Sequence, residues 1–458
     1  MSPHHTPRLE SLGKVHFIGI GGVGMSAVAR IMVARGVPVS GSDAKDLPVM
    51  ADLAAAGARV AVGYAAGNLA DAQTVVAGSA IREDNPELLA ARQAGLPVLH
   101  RSQALAATMG DDTVVTVAGT HGKSTTTSMI TVLLRAAGLD PSFAVGANIP
   151  ALGVNAAHGT SGIFVAEADE SDGSFLNYRP RIAVVTNVEP DHLDYYGTAE
   201  AVYESFDRFT ALLPADGLLV ACADDAGSLA LAGRTRDRGN TRVVLYGTSE
   251  TAAVRLHDGG PGDVSVSADG VEHVLSLQVP GRHNALNAAA AFTVALELGV
   301  DPAAAAAGLG RFSGASRRFE QKGSARGVRV FDDYAHHPTE VRAALTAARS
   351  VAGGHKVHVL FQPHLFSRTR EFAAQFADAL NLADTALVLD IYPAREDPIP
   401  GVTSQLIADH LKEGGRLVAA ADAVDTLAEA AADGDVVLTV GAGDVTAYGP
   451  RIVEALRA

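Results

Sequence analysis

The sequence predicts an α/β protein built as three successive domains. Three observations lead there. The 458 residues exceed what one ordinary core holds. Short β-branched runs alternate with Ala/Leu-rich helical stretches, the pattern of mostly parallel sheets. Two glycine loops each follow a strand and open a helix, the context in which such loops hold phosphate.

Composition narrows the class. A hydrophobic content of 48% with 19% charged residues describes a soluble globular chain. A formal charge of −15 argues against nucleic acid as the main partner, since phosphate backbones reward basic surfaces. Small anionic ligands stay open, because a few cations or helix N-termini suffice for them. The single cysteine, Cys222, rules out an intrachain disulfide framework and fits a reducing compartment. "MSPHHTPRLE" has no apolar signal core, and no apolar run reaches membrane-spanning length, so a cytoplasmic protein without membrane insertion is expected. His4 and His5 read as part of a mobile tail rather than a metal site.

The first block opens with strand "VHFIGI" (15–20) and a helix to about Arg35. Further strands are predicted at 37–40, 74–77 and 97–99, and helical "LAATMGDD" closes the block near residue 110. "GIGGVG" supplies Gly19-x-Gly21-x-x-Gly24 after the strand, with Asp43 after the next one. That outline suits a nucleotide diphosphate: tight turn, close pyrophosphate approach and an acid for ribose. The same glycines also suit a tight turn without ligand. An NAD-dependent oxidoreductase would use this loop too, but it leaves the second loop unexplained.

The second block runs from strand "TVVTVAG" (113–119) into the helix-like "STTTSMITVLLRAAG". Between them "VAGTHGKSTTT" departs from G-x-x-x-x-G-K-[ST], because Val117 stands where glycine is expected. Gly119 and Gly122 still free backbone N–H groups for phosphate, Lys123 offers a cation, and the Ser124 hydroxyl suits Mg²⁺. Glu167 ends "GIFVAE" within "EADESD", and "NVEPDHLD" adds Glu189, Asp191, His192 and Asp194. Hard oxygen donors suit Mg²⁺, and an imidazole fits a second ion; singly, each also suits a solvated loop. A strand at 242–247 follows, and 251–279 reads as an irregular β excursion. "GRHNALNAAAA" places His283, Asn284 and Asn287 at a helix start, where the amides could read adenine or Asn284 could simply cap. "DPAAAAAG" (301–308) reads as helix with Pro302 in its first turn. The glycine-rich stretch 309–323 reads as an interdomain linker carrying Arg317 and Arg318, placed for a phosphate when domains close or for solvent.

The third block has strands at about 328–333, 356–361, 385–391 and 435–440, as in a small open α/β sheet. "VFDDYAHHPTE" puts Asp332, Asp333, Tyr334, His336 and His337 at a strand end, and "VLFQPHLFSRTRE" adds His364 and Arg368. Such polar clusters suit a substrate site. Zinc at His336, His337 and His364 is the weaker reading, lacking a thiolate or an ordered His-x-x-x-His pair. "GAGD" (441–444) turns the last strand into the last helix.

In this order "HFIGIGGVGMS", "AGTHGKSTTT", "EADESD", "TNVEPDHLD", "GRHNALN", "DDYAHHPTE" and "FQPHLFSRTR" resemble the Mur ligases of peptidoglycan synthesis, from about residue 14 to the C-terminus. The shortened loop is that family's own form of the phosphate loop. The resemblance implies a Rossmann-like UDP-sugar domain (1–110), a central P-loop-type ATPase domain (111–315) and a C-terminal Rossmann-like amino-acid domain (316–458). Gly19, Gly21, Gly22, Gly24, Met25, Ser26, Asp43, Ser79 and Arg101 would bind the UDP-sugar. Gly119, Thr120, His121, Gly122, Lys123, Ser124, Thr125, His283, Asn284, Asn287, Arg317 and Asp333 would bind ATP. Ser124, Glu167 and His192 would hold two Mg²⁺ ions, or Mn²⁺. Tyr334, His336, His364 and Arg368 would surround the amino acid, and Lys123, His192, Arg317 and His336 would be catalytic.

The implied reaction joins L-alanine to the lactyl carboxylate of UDP-N-acetylmuramate through an acyl phosphate, releasing ADP and phosphate for cell-wall synthesis. Several relatives carry a carbamylated lysine after "DH", whereas 193–215 here contain no lysine, which fits the alanine-adding branch. Leu365 stands where a basic residue is expected, and Ser124 replaces the commoner threonine. The near neighbour attaches a tripeptide to the same sugar; a non-catalytic nucleotide-binding module is the other rival. A monomer or homodimer is expected.

Overall fold

The computed structural model describes residues 7–239, 241–258, 264–394 and 396–458; His4 and His5 lie outside these, as does the Asp194 side chain. Among the described residues the strands form three sheets. The chain divides into two compact units, the larger holding the first two sheets and the smaller holding the third.

The first sheet is parallel, in the order Arg59–Val62, Val39–Asp43, Val15–Ile18, Thr74–Ala77, Val98–His100. Its central strand is buried along its whole length, as expected when both faces are covered. Strand order reverses at that strand, so the loop after Ile18 opens at the switch point where α/β sheets take ligands. The second strand starts at Val39 rather than at 37, because Pro38 has no N–H for the ladder. Helix Pro86–Gln93, which the sequence pattern did not reveal, has Pro86 in its first turn and Asn85 accepting from the Glu87 and Leu88 amides.

The second sheet places strand Thr113–Ala118 between Ile163–Glu167 and Ile182–Val185, all parallel. The glycine loop, Glu167 and the turn after Val185 therefore leave the sheet at one edge. Strands Ser142–Ile149 and Val154–Ala157, missed in the sequence, extend one side. On the other side the excursion after 251 is regular: Val254–Asp258, Val264–Ala268 and Val271–Val274 pair antiparallel at the sheet's edge. Asp269 and Gly270 make the two-residue turn, both with positive φ, the geometry that Asp-Gly favours. Helix Val23–Ala34 of the first sheet packs against the two strands between 142 and 157, and Asn155 Nδ2 donates to the Val23 carbonyl at 3.1 Å.

The third sheet runs Glu320–Ala325, Val328–Asp333, Val436–Val440, Val357–Phe361, Thr385–Val388, Gly415–Leu417, with only the first strand antiparallel. The stretch expected as linker thus gives its last residues to an edge strand. Helix Pro302–Leu309 forms as expected, capped by Asp301. No helix among the described residues is long and apolar enough to cross a membrane.

Candidate active site

The second glycine loop is shaped from both sides. Gly119 (φ 138°) leaves the buried strand residue Val117 behind, and a β-carbon there would collide with Thr186 Oγ1. At Gly122 (φ 84°) a β-carbon would sit 2.8 Å from Asn287 Oδ1. Both positions therefore need glycine. Thr186 Oγ1 donates to the His121 carbonyl at 2.6 Å, while Asn187 Oδ1 accepts from the His121 amide at 2.8 Å. Thr120 Oγ1 accepts from the Glu189 amide at 2.9 Å. Thr186 and Asn187, quoted within "TNVEPDHLD" but given no role from sequence, tie the loop to the next strand end.

Helix Lys123–Ala136 begins at this loop, with Ser124 and Thr125 buried in its first turn. The Lys123 ammonium bonds the Gly119 carbonyl at 2.8 Å and Glu170 Oε1 at 2.9 Å. His192, in the left-handed region at φ 55°, brings Nε2 within 3.7 Å of the same carboxylate. Such strained backbone at a strand end is typical of functional sites. Glu167 accepts from the Gly146 amide at 2.8 Å. Asp169 is also there: burial opposes its charge, but Lys123 and the Ser171 amide hold its carboxyl below the usual range. Glu170, quoted within "EADESD" but given no role from sequence, is the buried partner of the lysine.

Carboxylates thus outnumber the one ammonium. Burial, opposed by Lys123, pushes Glu170 up to about 7. This surplus of buried oxygen donors fits a divalent cation, with Ser124, Glu167 and His192 as its candidate holders. The Glu170 shift has a pH consequence. The folded chain holds this proton more tightly than the unfolded chain, so the group's stabilising contribution is present below the ordinary glutamate value of 4.5 and lost as pH rises through about 7. Glu170→Gln is expected to remove that part of the melting profile; superimposable pH–Tm curves would sink the assignment.

At the first loop, Gly19 has φ 79° and Gly22 caps helix Val23–Ala34. Asp43 Oδ2 accepts from the Gly21 amide at 3.0 Å, so the expected ribose acid also braces the loop. A β-carbon on Gly24 would collide with the Arg101 guanidinium, which places this cation at the helix N-terminus. Ser79 Oγ donates to Asp172 Oδ2 at 3.0 Å and lies 3.1 Å from His100 Nε2, linking the first sheet to the "EADESD" turn. Met25 and Ser26 are buried, and Ser26 Oγ donates to the Val23 carbonyl. Neither is a loop-edge group like Arg101.

In the smaller unit Arg317 is committed locally. Its guanidinium bonds the Gly441 carbonyl at 2.6 Å and the Gly443 carbonyl at 3.2 Å, with Nε 3.3 Å from buried Asp332. In this structure the guanidinium is held by these partners rather than extended from the linker. Arg318 lies over the Tyr334 ring, 5.2 Å from its centroid. Asp333 accepts from the Phe319 and Ala335 amides, each at 2.8 Å. Asn284 Nδ2 donates to the Pro280 carbonyl at 2.7 Å, a local bond of the capping kind, and a β-carbon on Gly281 would press on the His283 ring. His336 lies between Tyr334 and His364, with ring centroids 5.3 and 5.9 Å away. Tyr392, missed in the sequence, stacks on His364 at 5.9 Å. Arg368 is buried in helix Phe366–Leu380, and Leu365 before it has φ 70°.

Two glycine loops at strand ends, one with a lysine among carboxylates, form a candidate site for phosphate-bearing ligands. Three profiles match in succession: the Mur ligase family catalytic domain at 14–113, the Mur ligase middle domain at 117–295 and the Mur ligase glutamate ligase domain at 317–443. The chain belongs to the Mur ligase family. It is 80% identical over 448 residues to UDP-N-acetylmuramate–L-alanine ligase of Paenarthrobacter aurescens (strain TC1), covering 98% of each chain. To the enzyme of the same name from Arthrobacter sp. (strain FB24) it is 81% identical over 450 residues, 98% of this chain and 96% of that one. A crystal structure of UDP-N-acetylmuramate–alanine ligase from Thermotoga maritima superimposes with a TM-score of 0.79 at 30% identity, covering 97% of this chain and 99% of that one.

Proposed function

We propose that this chain is an ATP-dependent ligase that joins L-alanine to the lactyl carboxylate of UDP-N-acetylmuramate, in the cytoplasm. The near-full-length identity of 80% to a ligase of that name carries the reading. The domain division 1–110, 111–315 and 316–458 belongs to the same proposal, as do the roles of the site residues.

A carboxylate is a poor electrophile, so the lactyl oxygen first attacks the γ-phosphorus of ATP and ADP leaves. The amine of alanine then attacks the acyl carbon; phosphate departs and the amine proton is lost. Lys123 would exchange its contact with the Gly119 carbonyl for phosphate oxygens, and the backbone amides of Gly119 and Gly122 would cradle them. Ser124, Glu167 and His192 would hold Mg²⁺, which supplies charge neutralisation at the phosphates. Asn287, beside Gly122, would bind near the nucleotide. Met25 and Ser26 would support the sugar-nucleotide loop from beneath. Tyr334, His336, His364 and Arg368 would receive alanine, with His336 or solvent as the candidate acceptor of its proton.

The test is phosphate release with ATP, Mg²⁺ and UDP-N-acetylmuramate, plus or minus L-alanine, with product mass measured. Alanine-dependent phosphate and the alanyl product are expected. Phosphate release that ignores every amino acid would overturn the reading, and preference for a tripeptide would move it to the recycling activity.

A further inference from the structure

Glu87 is a fully buried carboxylate that the chemistry above does not use. It accepts from Ser42 Oγ at 2.5 Å, Asn68 Nδ2 at 2.6 Å and the Ala65 amide at 3.1 Å, and His16 Nε2 lies 3.3 Å away. Ionised acceptors ringed by donors hold their neighbours in one geometry. Two of those donors belong to the loop that follows strand Arg59–Val62. Asn68 Nδ2 also bonds the Gly63 carbonyl at 3.0 Å, and the Gly63 amide donates to the Asp43 carbonyl at 2.7 Å.

The residue clamped in this way is Tyr64. Its ring packs with Ile81 on the cluster of Ile18, Leu69, Val75 and Leu88. Its hydroxyl ends 3.7 Å from the point a β-carbon on Gly19 would occupy, and Ile81 Cδ1 is 3.1 Å from that point. An aromatic side chain and a branched aliphatic one therefore border the first glycine loop next to Asp43. Burial and the Asp43 charge push the phenol up, so it remains a hydrogen-bond donor.

The loop is thus polar in the electrostatic sense. Arg101 stands at Gly24, where an anion is favoured; Asp43 stands at Gly21, where phosphate is repelled and hydroxyl donors are welcome. We propose that Tyr64 is a nucleoside-binding residue, seating the base and ribose of the sugar nucleotide beside Ile81 while the diphosphate lies towards Arg101. The inference rests on the sugar-nucleotide reading above and adds the direction in which that substrate lies.

The chain has no tryptophan, so Tyr64→Trp would introduce its sole indole. UDP and UDP-N-acetylmuramate are expected to change that emission saturably, and ATP alone to leave it unchanged. Tyr64→Ala is expected to raise the KM for the sugar nucleotide about tenfold, the scale of one lost base–aromatic contact, with the KM for ATP unaltered. UDP binding to Tyr64→Trp by calorimetry without an emission change would overturn the proposal. So would a wild-type sugar-nucleotide KM in Tyr64→Ala, which carries the test alone if the indole variant does not fold. Failure of the wild-type chain to bind UDP would instead overturn the sugar-nucleotide reading itself, and this inference with it.

Discussion

Lys123→Ala is expected to lower turnover about a thousandfold or more, the scale seen when a cation on a transferring phosphoryl group is removed. Stability should suffer as well. The lysine side chain is 13% exposed and that of Glu170 only 2%, so the variant leaves a buried carboxylate beside Asp169 without its counter-ion. Breaking such a pair costs about 3 kcal/mol or more. The two effects separate in Lys123→Ala/Glu170→Gln, whose uncharged amide no longer needs a cation: its Tm should recover while turnover stays low. Circular dichroism and phosphate release measure these. Near-normal turnover in folded Lys123→Ala would remove the lysine from the phosphoryl step.

Arg317→Ala is expected to act mainly on folding. Asp332 is fully buried and also accepts from Thr439 Oγ1 and Thr446 Oγ1, each at 2.7 Å. Without Arg317 the buried carboxyl loses its cation and is left with hydroxyl donors, and the carbonyls of Gly441 and Gly443 lose their shared donor. The expected loss is about 3–5 kcal/mol, read as a lower denaturant midpoint. Arg317→Lys should recover little, because a single ammonium cannot span the carboxylate and two carbonyls as the fork does. The competing outcome is an unchanged midpoint with turnover lost, which would return Arg317 to the role of a reaching cation.

Motifs with a local cause were legible in the sequence. The "GIGGVG" and "GTHGKS" turns need glycine because of φ and close approach, and their strands are short apolar runs. Helix Pro302–Leu309 announced itself by Asp301 and Pro302. Elements whose reason is non-local were not legible. Strand Arg59–Val62 is a four-residue edge with no buried position to mark it, and Val154–Ala157 forms only by pairing with a neighbour. The excursion at 254–274 looked irregular because its register comes from cross-strand partners, although its Asp-Gly turn was in plain view.

The same division holds in the site. The sequence by itself determined which side chains could carry the chemistry: glycines that free backbone amides, one lysine, a hydroxyl and strand-end acids. It could not assign partners, because pairing depends on which strand ends are neighbours. Only the tertiary structure gave Lys123 to Glu170, tied the loop to Thr186 and Asn187, and turned Arg317 inward onto Asp332. It also clamped Tyr64 beside Gly19 through the buried Glu87. Charge and hydrogen bonding act over a few ångströms in space, and residues dozens of positions apart reach that distance only once the sheets have formed.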